Sequence, residues 1–491
     1  MNNFTSKSVL RPLQTSQVNF KLILHLIKQL KRDITKRPWS TRVWAVQEVV
    51  LAREALIVSG SDTLPWNDYD AGIEFGKETG VFETSLIGYA RDPEPTFPNM
   101  TAQSELILSS QDSAATLLGL LHRHRFREAT NPADKVYSML GLVGKNIADL
   151  EIGPDYTLPY QQVYRDVARS ILIYRSILDF VGMAEPIADS SSWVPDWTRP
   201  PQTTPLTVNK AELPLLTQAS RRATPELRIS GQGDVLILKG HTIDRIVENA
   251  GHLDLMLDDW FDEVHDSEFE AAQTKVPDDA PLSQNVSAFL QDVPELLRYL
   301  GHRTHSAFHE LFRFLDPLER FVEWGKLARI HDKGPGRFKA DILAAYLEVL
   351  TAGNDLPGGP EATKLVFEEW LESLAPIRNL LKVRSAIMKL YKTLAFAGHL
   401  RKTWQIYGKF GDVLDHAYNR RTGRTAQGRL ALLPRSAAVG DLVAVCKGGR
   451  VPLCLRPTDE LAFTLIGEAY VHGVMDGEAF DEERCEAIPI R

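Results

Sequence analysis

The sequence predicts an α+β protein whose helices and strands are segregated along the chain. Helical periodicity dominates residues 113–175 and returns through the charged stretch 252–416. Short β-favouring runs punctuated by Gly and Pro fill residues 417–491. The 491 residues are 44% hydrophobic and 24% charged, an ordinary globular composition able to bury a large core.

Composition also narrows the function classes. A formal net charge of -8 is small for this length and leaves no basic footprint for nucleic acid. No apolar run approaches the ~18 residues that a membrane span needs, and no secretory h-region precedes a small-residue cleavage site. The three cysteines, Cys446, Cys454 and Cys485, are too few for a disulfide framework. Together these features predict a cytoplasmic protein without a transmembrane segment.

Residues 1–36 form a basic lead-in, with Phe20, Ile23, Leu24, Ile27 and Leu30 on one side of an amphipathic helix over 17–32. A mitochondrial-type leader is the alternative reading of this basic start, whose first 32 residues carry no acid. Residues 37–60 read as a helix and then a strand, with Pro38 suited to the first helical turn. Residues 61–110 are loop-rich. Helices follow at "SAATLLGLLHRHRF", "KVYSMLGL" and "YQQVYRDVARSILIYR", and "SSWVPDWTRPPQTTP" marks a boundary near residue 200. A linker and β-hairpin occupy 201–251, where "LRIS" and "VLILKGHTIDRIV" flank the turn "GQGD". The helical region 252–416 and a small antiparallel sheet over 417–491 complete the chain.

Familiar catalytic signatures are missing. There is no G-x-S-x-G elbow, and "GIEFGKET" lacks Walker spacing. "GQGD" leads into a strand where a dinucleotide loop would open a helix. No Cys-x-x-Cys pair exists to hold zinc. His302, His305 and His309 share one helix face and have metal-compatible spacing, but such a row is more often a solvated face. His122 and His124 point to different sides of a helix, so no metal site is expected.

The segment "RPWSTRVWAVQEVV" (37–50) carries an acid that needs explaining. On a helix, Trp39, Val43, Val46 and Val50 make one apolar stripe, while Trp44, Leu51 and Ala52 make a second. Glu48 lies beside Trp44 and is therefore expected to be partly buried. No basic residue stands three or four positions from it, so any ion-pair partner must come from elsewhere in the chain. Such acids recur at functional sites and in buried structural pairs alike.

These segments resemble the fungal heterokaryon incompatibility (HET) domain. Its Trp-x-x-Gln-Glu block, a helix leading into a strand, is matched around Trp39, Arg42, Trp44, Gln47 and Glu48. "ATNPADKVYSMLGL" supplies Asp134, Lys135 and Tyr137, and "GPDYTLPY" supplies Pro154, Asp155 and Tyr156. "SSWVPDW" supplies Trp193, Pro195, Asp196 and Trp197. "LKGHTIDRI", "GDLVAVCKGGRVPLCLRP" and "IGEAYVHGVMDGEA" are similar to segments that follow the domain, whereas 252–416 matches nothing specific. The Tyr-x-Trp-Gly and Asp-x-x-Cys-Ile-Asn-Gln blocks that normally precede the helix are not present. The chain therefore reads as an N-terminally shortened HET protein, and residues 37–200 as the C-terminal part of the domain.

The resemblance implies a truncated α/β core similar to Toll/interleukin-receptor (TIR) domains, with the strand "EALIVSG" left at the edge of a shortened parallel sheet. It implies a role in fungal non-self recognition and incompatibility-type programmed cell death, with other proteins of that system as partners. Some TIR domains cleave NAD, which makes NAD a substrate here and not a cofactor, and Glu48 the carboxylate that would steady the ribose cation. The alternative reading is a non-catalytic interaction or regulatory module, or a degenerate fragment.

Overall fold

The computed structural model describes residues 37–69, 71, 113–143, 150–199, 203–207, 217–230, 234–254, 316–330, 340–374, 406 and 411–491, apart from 177, 185–189, 357 and 459–460. The lead-in helix, His302, His305, His309 and much of the expected helical region 252–416 lie outside the described residues. The chain divides into two compact units, residues 1–160 with 197–200, and residues 161–196 with 201–491.

The first unit begins with Pro38 in the opening turn of a short helix, α1 (Pro38–Thr41). Arg42 then turns extended, at φ -73° and ψ 136°, and a second helix, α2, runs from Trp44 to Val50. The cause of the break is a pairing with residue 128. Glu128 donates its N–H to the Thr41 carbonyl at 2.7 Å, and Val43 donates to the Glu128 carbonyl at 2.9 Å.

This break corrects the expected four-residue stripe. Val43, Val46 and Val50 are buried, but Trp39 is 38% exposed. The second side is not buried either: Leu51 is 51% exposed, and Glu48 is exposed, against the sequence expectation. One apolar face is enough to seat a two-turn helix, so the rest of its circumference faces out.

The expected strand forms as β1 (Leu56–Ser59), but its neighbour is the next segment of chain. β2 (Asp62–Pro65) pairs with it antiparallel across the Gly60–Ser61 turn, with Gly60 at φ +63°. Among the described residues β1 thus lies in a local hairpin, where the resemblance implied a parallel-sheet edge. The helices α3 (Ser113–Arg123) and α4 (Asp134–Leu140) form where periodicity placed them.

In the second unit, α5 (Tyr160–Arg175) buries Val163, Tyr164, Val167, Ala168, Ile171 and Leu172, a single stripe at helical spacing. The predicted hairpin forms as β3 (Leu227–Ile229) and the long β4 (Leu236–His252). Among the described residues three helices follow: α6 (Asp316–Ala328), α7 (Ala340–Thr351) and α8 (Pro360–Leu374). The remaining strands are β5 (Arg420–Thr425), β6 (Leu430–Pro434), β7 (Leu442–Cys446), β8 (Leu453–Pro457), β9 (Phe463–Glu468), β10 (Tyr470–Val471) and β11 (Glu486–Ile490).

The strand pairings close on themselves in the order β4, β11, β9, β8, β7 and back to β4, which makes a five-stranded barrel. All of these contacts are antiparallel except β11 with β9. β4 is long enough to serve two assemblies. Its first half pairs with β11 and β7, and its second half pairs with β5, which continues into β6 and β10.

β4 meets β7 closely at Gly240. A Cβ there would stand 2.6 Å from the Val445 carbonyl oxygen and 2.8 Å from the Cys446 Cα. Only glycine permits that approach. β6 alternates between two cores: Ala431 and Leu433 enter the barrel core, while Leu430 and Leu432 join the core built by the three helices. In the helical core Phe321 stands edge-on to Trp370 at 4.7 Å and to Trp324 at 5.7 Å. Trp324 donates its indole N–H to the Gly251 carbonyl at 2.7 Å, tying α6 to the end of β4.

Candidate functional site

Residues of the Trp-x-x-Gln-Glu block separate by role. Because α1 and α2 meet at an angle, Trp39 comes over the exposed face of α2 and donates its indole N–H to Glu48 Oε2 at 2.9 Å. Trp39 also meets Trp66 edge-on, with ring centroids 6.3 Å apart, and Trp66 in turn contacts Tyr69 at 5.3 Å. Glu48 thus has a hydrogen-bond partner nine residues away, an uncharged indole where the sequence reading looked for a distant cation.

Gln47 points the other way, with its amide nitrogen against Gly141 at the C-terminus of α4. Arg42 is exposed, and its backbone bridges to Glu128. Trp44 is half-buried.

The Asp-Lys-Val-Tyr and Pro-Asp-Tyr blocks come together as a staple. Tyr137, buried on α4, donates its hydroxyl to the Asp155 carbonyl at 2.9 Å and accepts the Asp155 N–H at 3.0 Å. Tyr156 answers from the other side by donating its hydroxyl to Asp134 at 2.8 Å. The two tyrosine rings cross edge to face at 5.1 Å. Asp155 folds its carboxylate back onto Thr157, accepting from both hydroxyl and N–H, and these bonds hold its pKa below the usual value. The hydrogen bond to Asp134 raises the Tyr156 phenol. Pro154 is exposed and sets the extended entry into the staple.

Lys135 is buried and donates to the carbonyls of Arg125 and Arg127. Arg127, wholly buried, donates through Nη1 to the Ser40 carbonyl and through Nε to His124 Nδ1, the latter at 3.3 Å. Burial lowers the Arg127 pKa to about 10. Burial, reinforced by Arg127 and Arg123, pushes the His124 pKa well below 6.5, so the imidazole is neutral. The sequence reading weighed His124 only as one of a ligand pair with His122. Its role as an acceptor for a buried guanidinium carries no sequence signal.

The Trp-Val-Pro-Asp-Trp segment is buried throughout, from Trp193 through Pro195 and Asp196 to Trp197. In the second unit, Trp193 donates its N–H to the Asp234 carbonyl at 3.3 Å. Ser192 donates its hydroxyl to the Arg491 carbonyl and accepts the Leu465 N–H at 2.9 Å, which ties the segment to β9 and the end of β11. Three family-motif residues, Lys135, Tyr137 and Trp193, are therefore architectural: they clamp main-chain atoms.

The second unit holds a buried charged pair that the sequence reading missed. Arg420 and Glu468 are both buried and meet at 2.6 Å. Arg420 also donates to the Glu468 carbonyl at 2.8 Å. Burial raises the Glu468 pKa above the usual value against the pull of Arg420. Its second oxygen, Oε2, is buried without a hydrogen-bond partner and lies against Gly182, where a Cβ would come within 2.8 Å of the Glu468 side chain. Among the described residues no group of His, Cys, Asp and Glu has the arrangement of a metal site, and no helix is long and apolar enough to cross a membrane.

Comparison with known proteins agrees with the barrel. Residues 369–488 match the family model of the Het-6 β-barrel domain. The closing strand β4, at 236–252, lies outside that match and is supplied from earlier in the chain. Heterokaryon incompatibility protein 6, OR allele, of Neurospora crassa is 22% identical over 507 aligned residues, covering 92% of this chain. The chain spans 66% of that relative's length. No solved structure matches. The barrel domain, the ordered motif blocks and this relative together show that the chain is similar to fungal HET-type proteins.

Proposed function

We propose that this chain acts in heterokaryon incompatibility as a recognition protein, working through contacts with other proteins of that system and contributing to the cell death that follows. The observation that carries this reading is the setting of Glu48. The carboxylate is exposed, sits on a two-turn helix beside a local antiparallel hairpin, and spends Oε2 on the Trp39 indole. A carboxylate that steadies an oxocarbenium ion works best desolvated and aimed at the sugar. Elsewhere in the motif Lys135, Tyr137 and Trp193 hold main-chain atoms, as an interaction scaffold requires.

A second reading, NAD cleavage, draws on one feature of the same site. Trp39 and Trp66 place two aromatic faces beside the carboxylate, the kind of surface on which a nicotinamide ring stacks. In this reading NAD is the substrate and Glu48 the stabilising carboxylate, as in TIR-type chemistry.

One experiment separates the two. The full chain and its Glu48→Gln variant are expressed in a fungal host, and NAD content and viability are followed before and after fusion with a genetically different strain. Death on fusion with NAD unchanged, and equal in both chains, supports recognition. NAD loss that Glu48→Gln abolishes supports cleavage. Healthy fused cells with normal NAD in both cases would reject both readings.

A further inference from the structure

Four consecutive residues after the motif segment, Thr204 to Thr207, are buried and held in the barrel unit in an unusual way. Each has a main-chain atom engaged by a charged or ring side chain. Arg420 Nη2 donates to the Thr204 carbonyl at 3.3 Å, and His416 Nε2 donates to the Pro205 carbonyl at 3.1 Å. Leu206 donates its N–H to Glu468 Oε1 at 2.6 Å, and Arg450 Nη2 donates to the Thr207 carbonyl at 3.1 Å. The clamps are themselves braced: Arg420 against Glu468, Arg450 against Asp179 at 3.0 Å, and His416 Nδ1 by the Asn354 amide at 3.4 Å. The Leu206 side chain fills the helical core.

Side chains that read carbonyl and amide groups recognise a main chain and leave most of its side-chain identity unspecified. A strand is held by a ladder of main-chain bonds that melts only with its sheet, whereas this segment is held by four side chains that can be changed one at a time. A buried Arg–Glu pair is also a poor source of stability compared with apolar packing. Its geometry here is explained by what it holds, since Glu468 Oε1 receives both Arg420 and the Leu206 N–H.

We propose that His416, Arg420, Arg450 and Glu468 form a groove for a peptide main chain, occupied in this chain by its own residues 204–207 as a releasable latch. The partner that fits the groove is a segment with proline followed by a leucine-sized residue that turns as Leu206 and Thr207 do, offering carbonyl, carbonyl, N–H and carbonyl in that order. This inference stands on the barrel alone and does not depend on either reading of Glu48.

Hydrogen exchange followed by mass spectrometry on the full chain tests it. In the unaltered protein, amides of 203–207 are expected to exchange at least about tenfold faster than those of β7 and β8, because the latch opens locally. Glu468→Gln removes a charge-assisted acceptor and should speed exchange at 203–207 a further tenfold or so while β7 stays protected. Leu206→Ser weakens the chain's own occupant. That variant should bind a labelled Thr-Thr-Pro-Leu-Thr-Val peptide that the unaltered chain excludes, and adding Arg420→Met with Glu468→Leu should abolish the binding. Protection at 203–207 equal to that of β7 in both the unaltered and Glu468→Gln chains overturns the proposal, as does a folded Leu206→Ser chain that ignores the peptide. If Leu206→Ser does not fold, the exchange comparison decides alone.

Discussion

Trp39 donates its indole N–H to Glu48 across the bend between two short helices, at 2.9 Å. The bond spans nine residues and exists because the chain turns extended at Arg42, where Thr41 and Val43 hydrogen-bond to Glu128. Trp39→Phe keeps the ring and removes the donor. Since both groups are exposed, it should lower stability by less than about 1 kcal/mol in urea titrations. Glu48→Gln retains the acceptor and should cost still less. A loss of several kcal/mol from either change would mean that Glu48 is a buried structural acid after all.

Tyr137 is the larger structural element. Its hydroxyl serves both the N–H and the carbonyl of Asp155, so Tyr137→Phe deprives two main-chain groups of a partner. Asp155 is exposed and water can replace part of the loss. The expected destabilisation is about 1 kcal/mol, with faster proteolysis between residues 150 and 160. Tyr156→Phe, which loses one exposed hydrogen bond to Asp134, should be milder.

His124 makes the first unit acid-sensitive. Its folded pKa is depressed by burial and by Arg127, so the unfolded chain binds a proton near pH 6.5 that the folded chain refuses. The stability it contributes is complete above pH 6.5 and falls as the pH drops below that value toward the folded pKa. The expected slope approaches about 1.4 kcal/mol per pH unit for this one proton. His124→Asn can still accept from Arg127 and does not titrate. Denaturant melts between pH 5 and 7 should show the slope in the unaltered chain and a flatter dependence in the variant.

Gly240 controls barrel closure. Gly240→Ala would drive a methyl group into the main chain of β7 at Val445 and Cys446, where no side chain can swing aside. A loss of about 3 kcal/mol or more is expected, with β7 amides losing protection first. Gly141→Ala is the instructive contrast. There the methyl meets the far end of the Gln47 side chain, which can move, so the expected loss is under about 1 kcal/mol.

Much of the local structure was legible in the residues themselves. The helix over Tyr160–Arg175 and the strand at Leu442–Cys446 follow from periodicity and β-branched content alone. The strands Arg420–Thr425 and Glu486–Ile490 did not stand out, because one is mostly arginine and threonine and the other contains Pro489. Both are strands by virtue of their neighbours, β5 between β4 and β6, and β11 against β4. The family blocks could be read in order, but not what each residue touches.

By itself the sequence determined where several helices and strands lie, which short blocks carry the HET resemblance, and that Glu48 has no cation within its own helix. Those properties depend on neighbours three or four residues apart, where spacing fixes geometry. Only the tertiary structure decided that Glu48 stands exposed under Trp39, that the first strand folds back into a hairpin, and that residues 236–252 close a barrel with strands some 200 positions later. It also decided that Arg420 and Glu468 meet in the interior around residues 204–207. Such pairings are set by which buried groups must find partners once the cores have packed, and no local pattern encodes them.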